Sequence, residues 1–389
     1  MLLRFLPELG RACGHGHLPG GGKRLSPDGI SRVAPFSASV EAPVNFSSKS
    51  QRNAGPTRRR VLALTGGLLA VAPIGARAAG RLWPATVPAS TSLAVGDQNE
   101  VLQTLLAASG QATALQSKVT YANFLGGPAV LEAFRAGALD IATVGNTPPV
   151  QAQAAGERIL IVAAVQSSGP AYGIAVRPGL KLTHLEELRG RSIAYGEGTA
   201  RQPFVLSALK LAGLTRRDVT LVPLRAADFP DAIRSGQVDV AALNEPHFSR
   251  YLADYADRGA SALPPAETAR VPSGPEYLYA SDTALHDSAK TAAIADFVTR
   301  WIAARRWSKT HPREWIDAYY VRRQRLSAAD GQKIEDAFGE LTFPSLRSLI
   351  EKQQAIADLI YEAGDLPKRL DARDEFDFRF DDVIAANVN

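Results

Sequence analysis

The chain has 389 residues, enough for about two domains, and its 46% hydrophobic and 21% charged residues are ordinary for a globular protein. Its net charge of +5 comes from the N-terminus, because residues 1–80 hold eleven Lys and Arg against three Asp and Glu, whereas residues 81–389 hold 33 against 36. The main part of the chain is therefore mildly acidic, which argues against the broad basic surface typical of nucleic-acid-binding proteins.

The start of the chain is interpreted as an extension followed by an export signal. Residues 1–56 are rich in Gly, Ser and Pro without sustained periodicity, so we expect a disordered extension, which a start codon assigned too far upstream would explain. Residues 57–78 combine an arginine triplet from Arg58, an apolar run at 61–74 and a small-residue cleavage site at 76–78. This is the pattern of a twin-arginine-type signal peptide, with a short buried helix as the alternative.

We therefore expect a protein exported to the periplasm, or an equivalent extracytoplasmic space, whose mature chain begins at Ala79. The sequence contains one cysteine, Cys13, which lies before that point. The exported part would then have no disulfide and no thiol nucleophile.

After the signal, short apolar strands alternate with amphipathic helices that end at glycines. The predicted strands are 92–96, 118–124, 139–145 and 158–165, and the predicted helices are 100–110, 127–137 and 147–156. This alternation predicts a parallel sheet with helical crossovers.

A second unit of the same kind follows, and the chain then becomes largely helical. Its predicted strands are 172–179, 191–196, 219–224 and 238–243, its helices are 201–213, 228–236 and 245–256, and the later helices are 292–310, 312–321 and 346–364. Two α/β units in tandem are therefore expected, followed by a helical tail.

The two units share a short repeat. LEAFRAGALDIA at 131–142 matches PDAIRSGQVDVA at 230–241 at two alanines, an arginine, a glycine and an aspartate, with a constant offset. We expect each copy to build the same helix, glycine turn and strand in one of two facing lobes. The alternative is that a common helix–strand turn arose twice by chance.

Three segments carry a resemblance to a known family. Residues 126–156 (GGPAVLEAFRAGALDIATVGNTPPVQAQAAG), 188–200 (LRGRSIAYGEGTA) and 236–252 (GQVDVAALNEPHFSRYL) resemble the extracellular solute-binding proteins of ABC importers. The similar subgroup binds aliphatic sulfonates, taurine or nitrate. The sequence departs from the family pattern at Asn146, where an acidic residue is common, and at Asn244-Glu245-Pro246, where Trp-Asp-Pro is common.

The resemblance implies an α/β fold, the two-lobed clamp of type 2 periplasmic binding proteins with a helical C-terminal tail. It implies that residues 79–168 form the first part of lobe 1, that 169–268 form lobe 2, and that 269–389 return to lobe 1 and add the C-terminal helices. The two hinge crossings are expected near 166–172 and 265–277.

Ligands of parallel sheets bind beyond the carboxyl ends of the strands, where helices begin. Two helix starts, one in each lobe, would present N–H groups and positive dipole ends to an anion. Arg201 would add charge if it points inward. The alternative is that these residues are ordinary helix caps that serve only the fold. The candidate ligand-binding residues are Gln98, Gly127, Asn146, Thr147, Gln166, Ser168, Gly198, Thr199, Ala200, Asn244, Glu245 and Tyr277.

No histidine spacing indicates a metal, and no catalytic residues or cofactor are expected. We expect a monomeric substrate-binding component of an ABC importer that delivers a small organic oxyanion, foremost an aliphatic sulfonate, to a permease and ATPase complex. Binding of nitrate, taurine or a thiamine-type pyrimidine, a sensor role, and an enzyme on the same fold remain alternatives. The loss of an acidic residue at Asn146 argues against an aminosulfonate such as taurine.

Overall fold

A computed structural model of the chain describes residues 83–388, so the predicted extension and signal peptide lie outside the described residues. The strands are β1 (Ser92–Gln98), β2 (Lys118–Phe124), β3 (Ile141–Val144), β4 (Ile159–Ser167), β5 (Gly173–Val176), β6 (Ser192–Tyr195), β7 (Thr220–Pro223), β8 (Val240–Leu243), β9 (Ser261–Ala262), β10 (Glu276–Ser281) and β11 (Leu341–Thr342).

Helices connect these strands and dominate the C-terminal part. The α-helices are α1 (Val101–Ala108), α2 (Gly127–Arg135), α3 (Pro148–Ala154), α4 (Arg201–Leu211), α5 (Phe229–Ser235), α6 (His247–Tyr255), α7 (Pro265–Thr268), α8 (Asp282–His286), α9 (Ser288–Thr310), α10 (Pro312–Trp315), α11 (Ala328–Phe338), α12 (Ile350–Glu362) and α13 (Asp381–Val388). Short 3-10 turns lie at Gln111–Ala114, Leu185–Leu188, Arg216–Asp218, Ala226–Asp228, Ala256–Arg258, Leu346–Leu349, Ala372–Glu375 and Phe378–Phe380. Within residues 83–388, each helix is too short or too polar to span a bilayer.

The strands form two sheets, which define the two lobes. The first sheet, in lobe 1, has the order β11-β4-β10-β3-β1-β2, and the second, in lobe 2, has the order β7-β6-β8-β5-β9. We assign residues 83–167 and 276–388 to lobe 1 and residues 173–268 to lobe 2. This architecture, with its helical C-terminal part, confirms the predicted fold class.

The two sheets follow one plan. Each has three parallel strands, β2-β1-β3 in lobe 1 and β7-β6-β8 in lobe 2. Beside them lies an antiparallel strand that follows a crossing from the other lobe, β10 in lobe 1 and β5 in lobe 2. The chain crosses between β4 and β5 and returns between α7 and β10.

The sequence repeat builds equivalent parts of the two lobes. In lobe 1, the N–H of Asp140 donates to the carbonyl of Ala94 on β1 (2.8 Å), and its carboxylate accepts from the N–H of Ala94 (2.9 Å). In lobe 2, Asp239 makes the same two bonds to Ser192 on β6, at 2.9 and 3.0 Å. Each aspartate thus joins the turn after a helix to the neighbouring strand, which confirms the predicted equivalence of the copies and gives it a structural role.

Both aspartates also pair with a cation. The ammonium of Lys290 lies 2.6 Å from Asp140, and the guanidinium of Arg177 lies 2.7 Å from Asp239. The glycine before each aspartate has a positive φ, 68° at Gly137 and 76° at Gly236, a conformation that glycine adopts without strain. The repeat therefore has the same structural role in both lobes, which is to join the turn after a helix to the neighbouring strand.

Two local expectations differ from the structure. The second crossing was expected near 265–277 and no strand was predicted beside it, but residues 276–281 form β10, which pairs with both β3 and β4. The single helix predicted over 312–321 is divided into α10 and a π-helical turn, Ile316–Val321. No local sequence pattern marks β10, because it gains its strand geometry from neighbours that are distant in sequence.

Helix α12 contacts both lobes. Its Ile360 packs in a cluster with Val150 of α3, in lobe 1, whereas Leu359 packs against the core of lobe 2. Beyond the helix, the carboxylate of Asp365 accepts from the Tyr195 hydroxyl (2.7 Å) and the Gln202 amide (2.8 Å), both in lobe 2. The helical tail therefore forms one wall beside the gap between the lobes.

Candidate functional site

A cavity of about 990 Å³ lies between the two lobes. Lobe 1 lines it with the ends of β1 and β3 and the turns that follow, and lobe 2 lines it with the turns after β6 and β8. Helices α11 and α12 complete the wall. The cavity therefore lies where ligands of parallel sheets bind, beyond the carboxyl ends of the strands.

Glycines let the two lobes approach closely at this cavity. A Cβ atom at position 145, in lobe 1, would lie 2.6 Å from the Cβ of Ala200 in lobe 2. A Cβ atom at position 127 would lie 3.8 Å from the carbonyl oxygen of Gly198. The turn after β3 and the turn after β6 are thus in contact, and larger residues at 145 would separate them.

Arg201, the first residue of α4, supplies an unpaired cation at this contact. Its Nε donates to the carbonyl of Ala242 (3.3 Å) and its Nη2 to the side-chain oxygen of Asn244. Its guanidinium carbon lies 5.5 Å from the ring centroid of Tyr172 and 5.7 Å from that of Phe229. These partners hold the side chain in place but neutralise none of its charge.

No carboxylate among the described residues lies within ion-pair distance of Arg201, and its Nη1 has no hydrogen-bond partner there. Burial lowers the pKa of the guanidinium, the direction expected for a cation removed from water without an anion. Arginine nevertheless remains charged in proteins, so this group favours an anionic ligand.

Two further donors face the cavity beside Arg201. The side-chain nitrogen of Asn146 has no acceptor among residues 83–388, while its side-chain oxygen accepts from the Thr147 hydroxyl (3.2 Å). The backbone carbonyl of Asn146 accepts from the amide of Gln353 (2.8 Å), which fixes the turn. The N–H of Ala200, at the start of α4, also lacks an acceptor within the described part of the chain. A cation and two neutral donors from the two lobes thus line the same cavity.

The two helix starts that were expected to bind an anion differ in the donors that they can offer. Helix α3 begins with Pro148 and Pro149, which have no N–H, and it is only seven residues long. Helix α4 has eleven residues, but its third residue, Pro203, has no N–H, and the N–H groups of Arg201 and Gln202 donate to Thr199, which leaves the N–H of Ala200 as the donor that this helix start can offer. Lobe 1 therefore contributes a side chain, Asn146, where backbone donors were expected.

Eight of the candidate ligand-binding residues line the cavity: Gln98, Gly127, Asn146, Gln166, Thr199, Ala200, Asn244 and Glu245. The Thr199 hydroxyl is engaged locally, since it donates to the carbonyl of Gly196 (2.7 Å) and accepts from the N–H of Arg201 (3.3 Å). The Gln98 amide donates to the carbonyl of Thr143 (2.9 Å).

The other four candidates do not line the cavity, and each has a packing or backbone role. Tyr277 is fully buried in β10, where its hydroxyl donates to Gln353 (3.1 Å). Thr147 is likewise fully buried. The Ser168 hydroxyl accepts from the N–H of Glu340 (2.9 Å), and the N–H of Gly198 donates to the side chain of Gln202 (2.9 Å).

Sequence reasoning missed most of the cavity wall that comes from the helical tail. These residues lie far from the strand ends in the sequence, and nothing local shows which face of each helix turns inward. In the tail, the missed lining residues include Arg305, Lys309, Trp315, Tyr319, Tyr320, Glu335, Lys352, Ala355, Ile356 and Leu359. Tyr172, Phe204 and His247 near lobe 2 and Glu276 of β10 were also missed.

Most of the charges that the tail contributes to the cavity are already paired, whereas the ammonium of Lys352 donates to the neutral side chain of Gln166 (2.9 Å). Glu335 accepts from the Trp315 indole (2.8 Å), the Tyr320 hydroxyl (2.9 Å) and the ammonium of Lys309 (2.9 Å). Arg305 pairs with Glu276 at 2.5 Å. These pairs leave little net charge for a ligand, in contrast to Arg201.

Two titratable residues of lobe 2 complete the wall near Arg201. Burial, with the charges of Arg201 and Arg250 in addition, lowers the pKa of His247 to about 4, so its imidazole is neutral at pH 7. Burial raises the pKa of Glu245, whose carboxylate accepts from the backbone N–H (3.1 Å) and hydroxyl (3.0 Å) of Ser249.

One group of potential metal ligands occurs within residues 83–388, away from this cavity. Ligand atoms of His184, Glu186 and Glu267 lie within 4.8 Å of one another on lobe 2. The carboxylate of Glu267 already accepts from Arg270 (2.9 Å) and from the N–H of Leu185 (3.1 Å). Because a cation already pairs with this carboxylate, we assign no metal to the group.

Comparison with known proteins gives one family and several related folds. A family model described as NMT1/THI5 like matches residues 118–314, just over half of the chain. A protein of Escherichia coli (strain K12) with the provisional name aliphatic sulfonates-binding protein is 28% identical over 265 residues, which cover 66% of this chain and 79% of that relative.

Solved structures share the two-lobed architecture. The alkanesulfonate-binding protein SsuA from Xanthomonas axonopodis pv. citri, solved bound to MOPS, is 26% identical with a TM-score of 0.63, covering 74% of this chain and 99% of that chain. The desulfurization enzyme DSZB, at 14% identity and a TM-score of 0.55, covers 76% of this chain and 99% of that chain and shows the fold alone. The predicted periplasmic binding protein fold is thereby confirmed.

Proposed function

The chain belongs to the NMT1/THI5-like family, and on that premise we propose that it is the substrate-binding component of an ABC importer that captures an aliphatic sulfonate between its lobes. The observation that carries the proposal is Arg201, a half-buried cation without a carboxylate partner in the described part of the chain, which lines the cavity. The names of the E. coli relative and of SsuA support the choice of a sulfonate.

The binding mode follows from the chemistry of the ligand. A sulfonate has three oxygens and one negative charge, so Nη1 of Arg201 and the N–H of Ala200 can bind it from lobe 2 while the Asn146 amide binds it from lobe 1. Because the ligand contacts both lobes, binding and closure of the lobes are linked. No covalent step is needed for capture.

The same proposal gives the setting of the protein. We infer an extracytoplasmic location, reached through the twin-arginine-type signal of residues 57–78, and a permease and ATPase complex as the partner of a monomer. We also infer binding without catalysis, because the only cysteine of the sequence, Cys13, lies in the leader and no thiol is left for desulfination.

Calorimetric titration of the purified protein with ethanesulfonate, taurine, nitrate and a thiamine-type pyrimidine tests this function. We expect ethanesulfonate to bind more tightly than taurine, whose ammonium would meet no acidic residue at position 146. Binding of the neutral pyrimidine without binding of any sulfonate would contradict the proposal, since a neutral ligand leaves the charge of Arg201 unpaired.

A further inference from the structure

Helix α12 (Ile350–Glu362) connects the two lobes in addition to the two chain crossings. Both of its flanks belong to lobe 1. Leu349, just before the helix, packs in the lobe 1 core, and the N–H of Asp377, after it, donates to the carbonyl of Ile161 on β4 (3.0 Å). Near the end of the helix, however, Leu359 packs against the core of lobe 2. The helix therefore extends from one lobe to the other beside the cavity.

A buried amide on α12 holds the ligand-binding turn of lobe 1. Gln353 is fully buried, and its side-chain nitrogen donates both to the backbone carbonyl of Asn146 (2.8 Å) and to the carboxyl group of Glu375 (2.7 Å). Its side-chain oxygen accepts from the Tyr277 hydroxyl (3.1 Å). Three partners on three separate segments fix this amide, and through it the position of Asn146 relative to the helix. We call these bonds the lobe 1 link.

A second set of bonds holds the ligand-binding turn of lobe 2. Asp365, just beyond the end of α12, accepts from the Gln202 amide (2.8 Å) and the Tyr195 hydroxyl (2.7 Å). The side-chain oxygen of Gln202 in turn accepts from the N–H of Gly198 (2.9 Å), in the turn between β6 and α4. We call these bonds the lobe 2 link. They join the end of α12 to the turn that leads into Arg201.

The side chains of both links lie behind the cavity wall. Gln202 is 1% exposed and Gln353 is fully buried, and neither they nor Asp365 are among the residues that line the cavity. A ligand in the cavity would therefore contact the turns and not the links. Burying an amide costs free energy unless its hydrogen bonds are made, and an apolar side chain would avoid that cost. The bonds that lead to the two turns are therefore what distinguishes glutamine at these positions.

We propose that α12 holds the two ligand-binding turns at the separation that the structure shows, with Gln353, Gln202 and Asp365 as positioning residues. This inference rests on the proposed function and adds what sets the affinity of the same site. An anion between Asn146 and Arg201 contacts both turns, so its affinity depends on the distance between them. A helix joined to both turns sets that distance before the ligand binds, which reduces the cost of ordering the site.

Gln202→Met and Gln353→Met, alone and together, test whether the two links act as one. Each replaces an amide by an apolar side chain of similar length. In titration calorimetry with ethanesulfonate, each single variant should lose at least about fivefold in affinity. The double variant should lie within about twofold of the weaker single variant, because one broken link already releases the separation of the turns. Losses that multiply in the double variant would overturn the proposal, since each glutamine would then act only on its own turn.

Gln354→Met is the matched control for Gln353→Met. Gln354 is the next residue of α12, and its amide bonds stay within the tail, where it donates to the carbonyl of Leu370 (3.0 Å) and accepts from the N–H of Ala372 (2.9 Å). It should lower the free energy of unfolding but keep the affinity within about twofold. An equal loss of affinity in this control would overturn the proposal, because affinity would then follow stability alone. If Gln353→Met does not fold, Gln353→Asn replaces it, since it keeps an amide in the core but is one methylene shorter.

Asp365→Asn and Asp365→Ala separate the hydrogen bonds of the lobe 2 link from its charge, because Asp365 also pairs with Arg216. Asparagine loses this ion pair but keeps an oxygen that can accept from Gln202 and Tyr195, whereas alanine loses both. We expect Asp365→Asn to keep the ethanesulfonate affinity within about twofold and Asp365→Ala to lose at least about fivefold. Equal losses in both variants would assign the effect to the ion pair and overturn the role of Gln202.

A distance measurement without ligand tests the proposal independently of the proposed function. Glu132 on α2 and Asp231 on α5 are exposed residues at equivalent positions of the repeat, one in each lobe. Spin labels on Glu132→Cys and Asp231→Cys, in the full chain with Cys13→Ser, report the separation of the lobes by pulsed EPR. The distance distribution should broaden in each single variant of the links but not in the Gln354 control. Unchanged distributions would overturn the proposal even if a sulfonate binds, whereas broadened distributions without sulfonate binding would support it and overturn only the proposed function.

Discussion

The two lobes share a strand plan but differ at the helix that follows their matching strands, β1 and β6. In lobe 1 the buried carboxylate of Asp97 accepts from the N–H groups of Leu102 (2.9 Å) and Gln103 (3.0 Å), so the start of α1 is satisfied by the chain itself. In lobe 2 the start of α4 has no such carboxylate among the described residues, and Arg201 adds a positive charge there. The start of α1 is thus capped by a carboxylate, whereas the start of α4 is capped by the neutral Thr199 and carries the charge of Arg201.

This difference separates the parts of the two similar lobes that maintain the fold from the parts that would bind a ligand. The aspartates of the repeat, Asp140 and Asp239, keep the same backbone bonds in both lobes and hold the sheets together. The turns after the strands differ between the lobes. In lobe 1 a carboxylate accepts from the N–H groups of the helix start, whereas in lobe 2 an arginine adds a positive charge there. The place of the ligand thus follows from side chains in the turns, on a scaffold that is common to both lobes.

Arg201→Met should have the largest effect on ligand binding, since it removes the charge that distinguishes the start of α4 from the start of α1. We expect the sulfonate affinity to fall about 100-fold or more, because hydrogen bonds to charged groups contribute about 1.5–3 kcal/mol each. Without ligand the thermal midpoint should not fall, because an unpaired buried cation is removed. Titration calorimetry and thermal unfolding measure the two effects.

Arg217→Met is the control for Arg201→Met, since Arg217 is an exposed arginine of the same lobe and does not line the cavity. It makes the same change in charge and should leave affinity unaltered. If both variants lose affinity equally, long-range attraction to lobe 2 would explain the effect, and Arg201 would have no special role.

Glu375→Gln should show that the lobes differ in their response to pH. In lobe 2 the half-buried carboxylate of Asp239 pairs with Arg177, and its pKa is lowered. Glu375, in the tail of lobe 1, has the Gln353 amide (2.7 Å) as its one side-chain partner within residues 83–388, and burial, with Asp374 in addition, raises its pKa to about 8.

Between pH 5 and 8 the folded state therefore keeps a proton on Glu375 that the unfolded state has lost. The free energy of unfolding should fall by up to about 1.4 kcal/mol per pH unit as the pH rises through this range. Glu375→Gln cannot ionise and still accepts from Gln353, so it should remove this slope. Denaturant unfolding at several pH values measures the slope, and an identical slope in both proteins would contradict the assignment.

Asp97→Ala tests whether the helix start of lobe 1 contributes to stability and not to ligand binding. Loss of the two bonds at the start of α1 should lower the free energy of unfolding by about 1–2 kcal/mol, as for other helix caps. The sulfonate affinity should stay within about twofold, because the anion is bound at the other helix start. A large loss of affinity without loss of stability would instead place Asp97 at the ligand.

Local signals in the sequence were sufficient for most of the fold. The predicted strand 118–124 coincides with β2, and glycines at helix ends marked the turns, since strand alternation and left-handed caps are properties of neighbouring residues. The strand β10 was missed because it depends on register with β3 and β4, which lie more than a hundred residues earlier.

The site was predictable only where it follows strand ends. Asn146, Thr199 and Asn244 line the cavity as expected, because parallel strands place their final residues at one edge of the sheet. The wall from α12 could not be predicted, since tertiary packing decides which face of a helix turns inward. Pro148 and Pro149, in contrast, are visible in the sequence, and because proline has no N–H they already argue against anion binding at the start of α3.

The smallest of these effects is expected from Asn146→Ala, which tests the share of lobe 1 in binding the anion. Removing one hydrogen bond to a charged group should weaken sulfonate binding about tenfold. Gln98→Ala is the matched control, because its amide lines the same cavity but already donates to the carbonyl of Thr143. It should weaken binding by less than about twofold. If Gln98→Ala had the larger effect in calorimetry, the sulfonate would lie nearer β1, and the helix start of lobe 1 would be the one that the ligand uses.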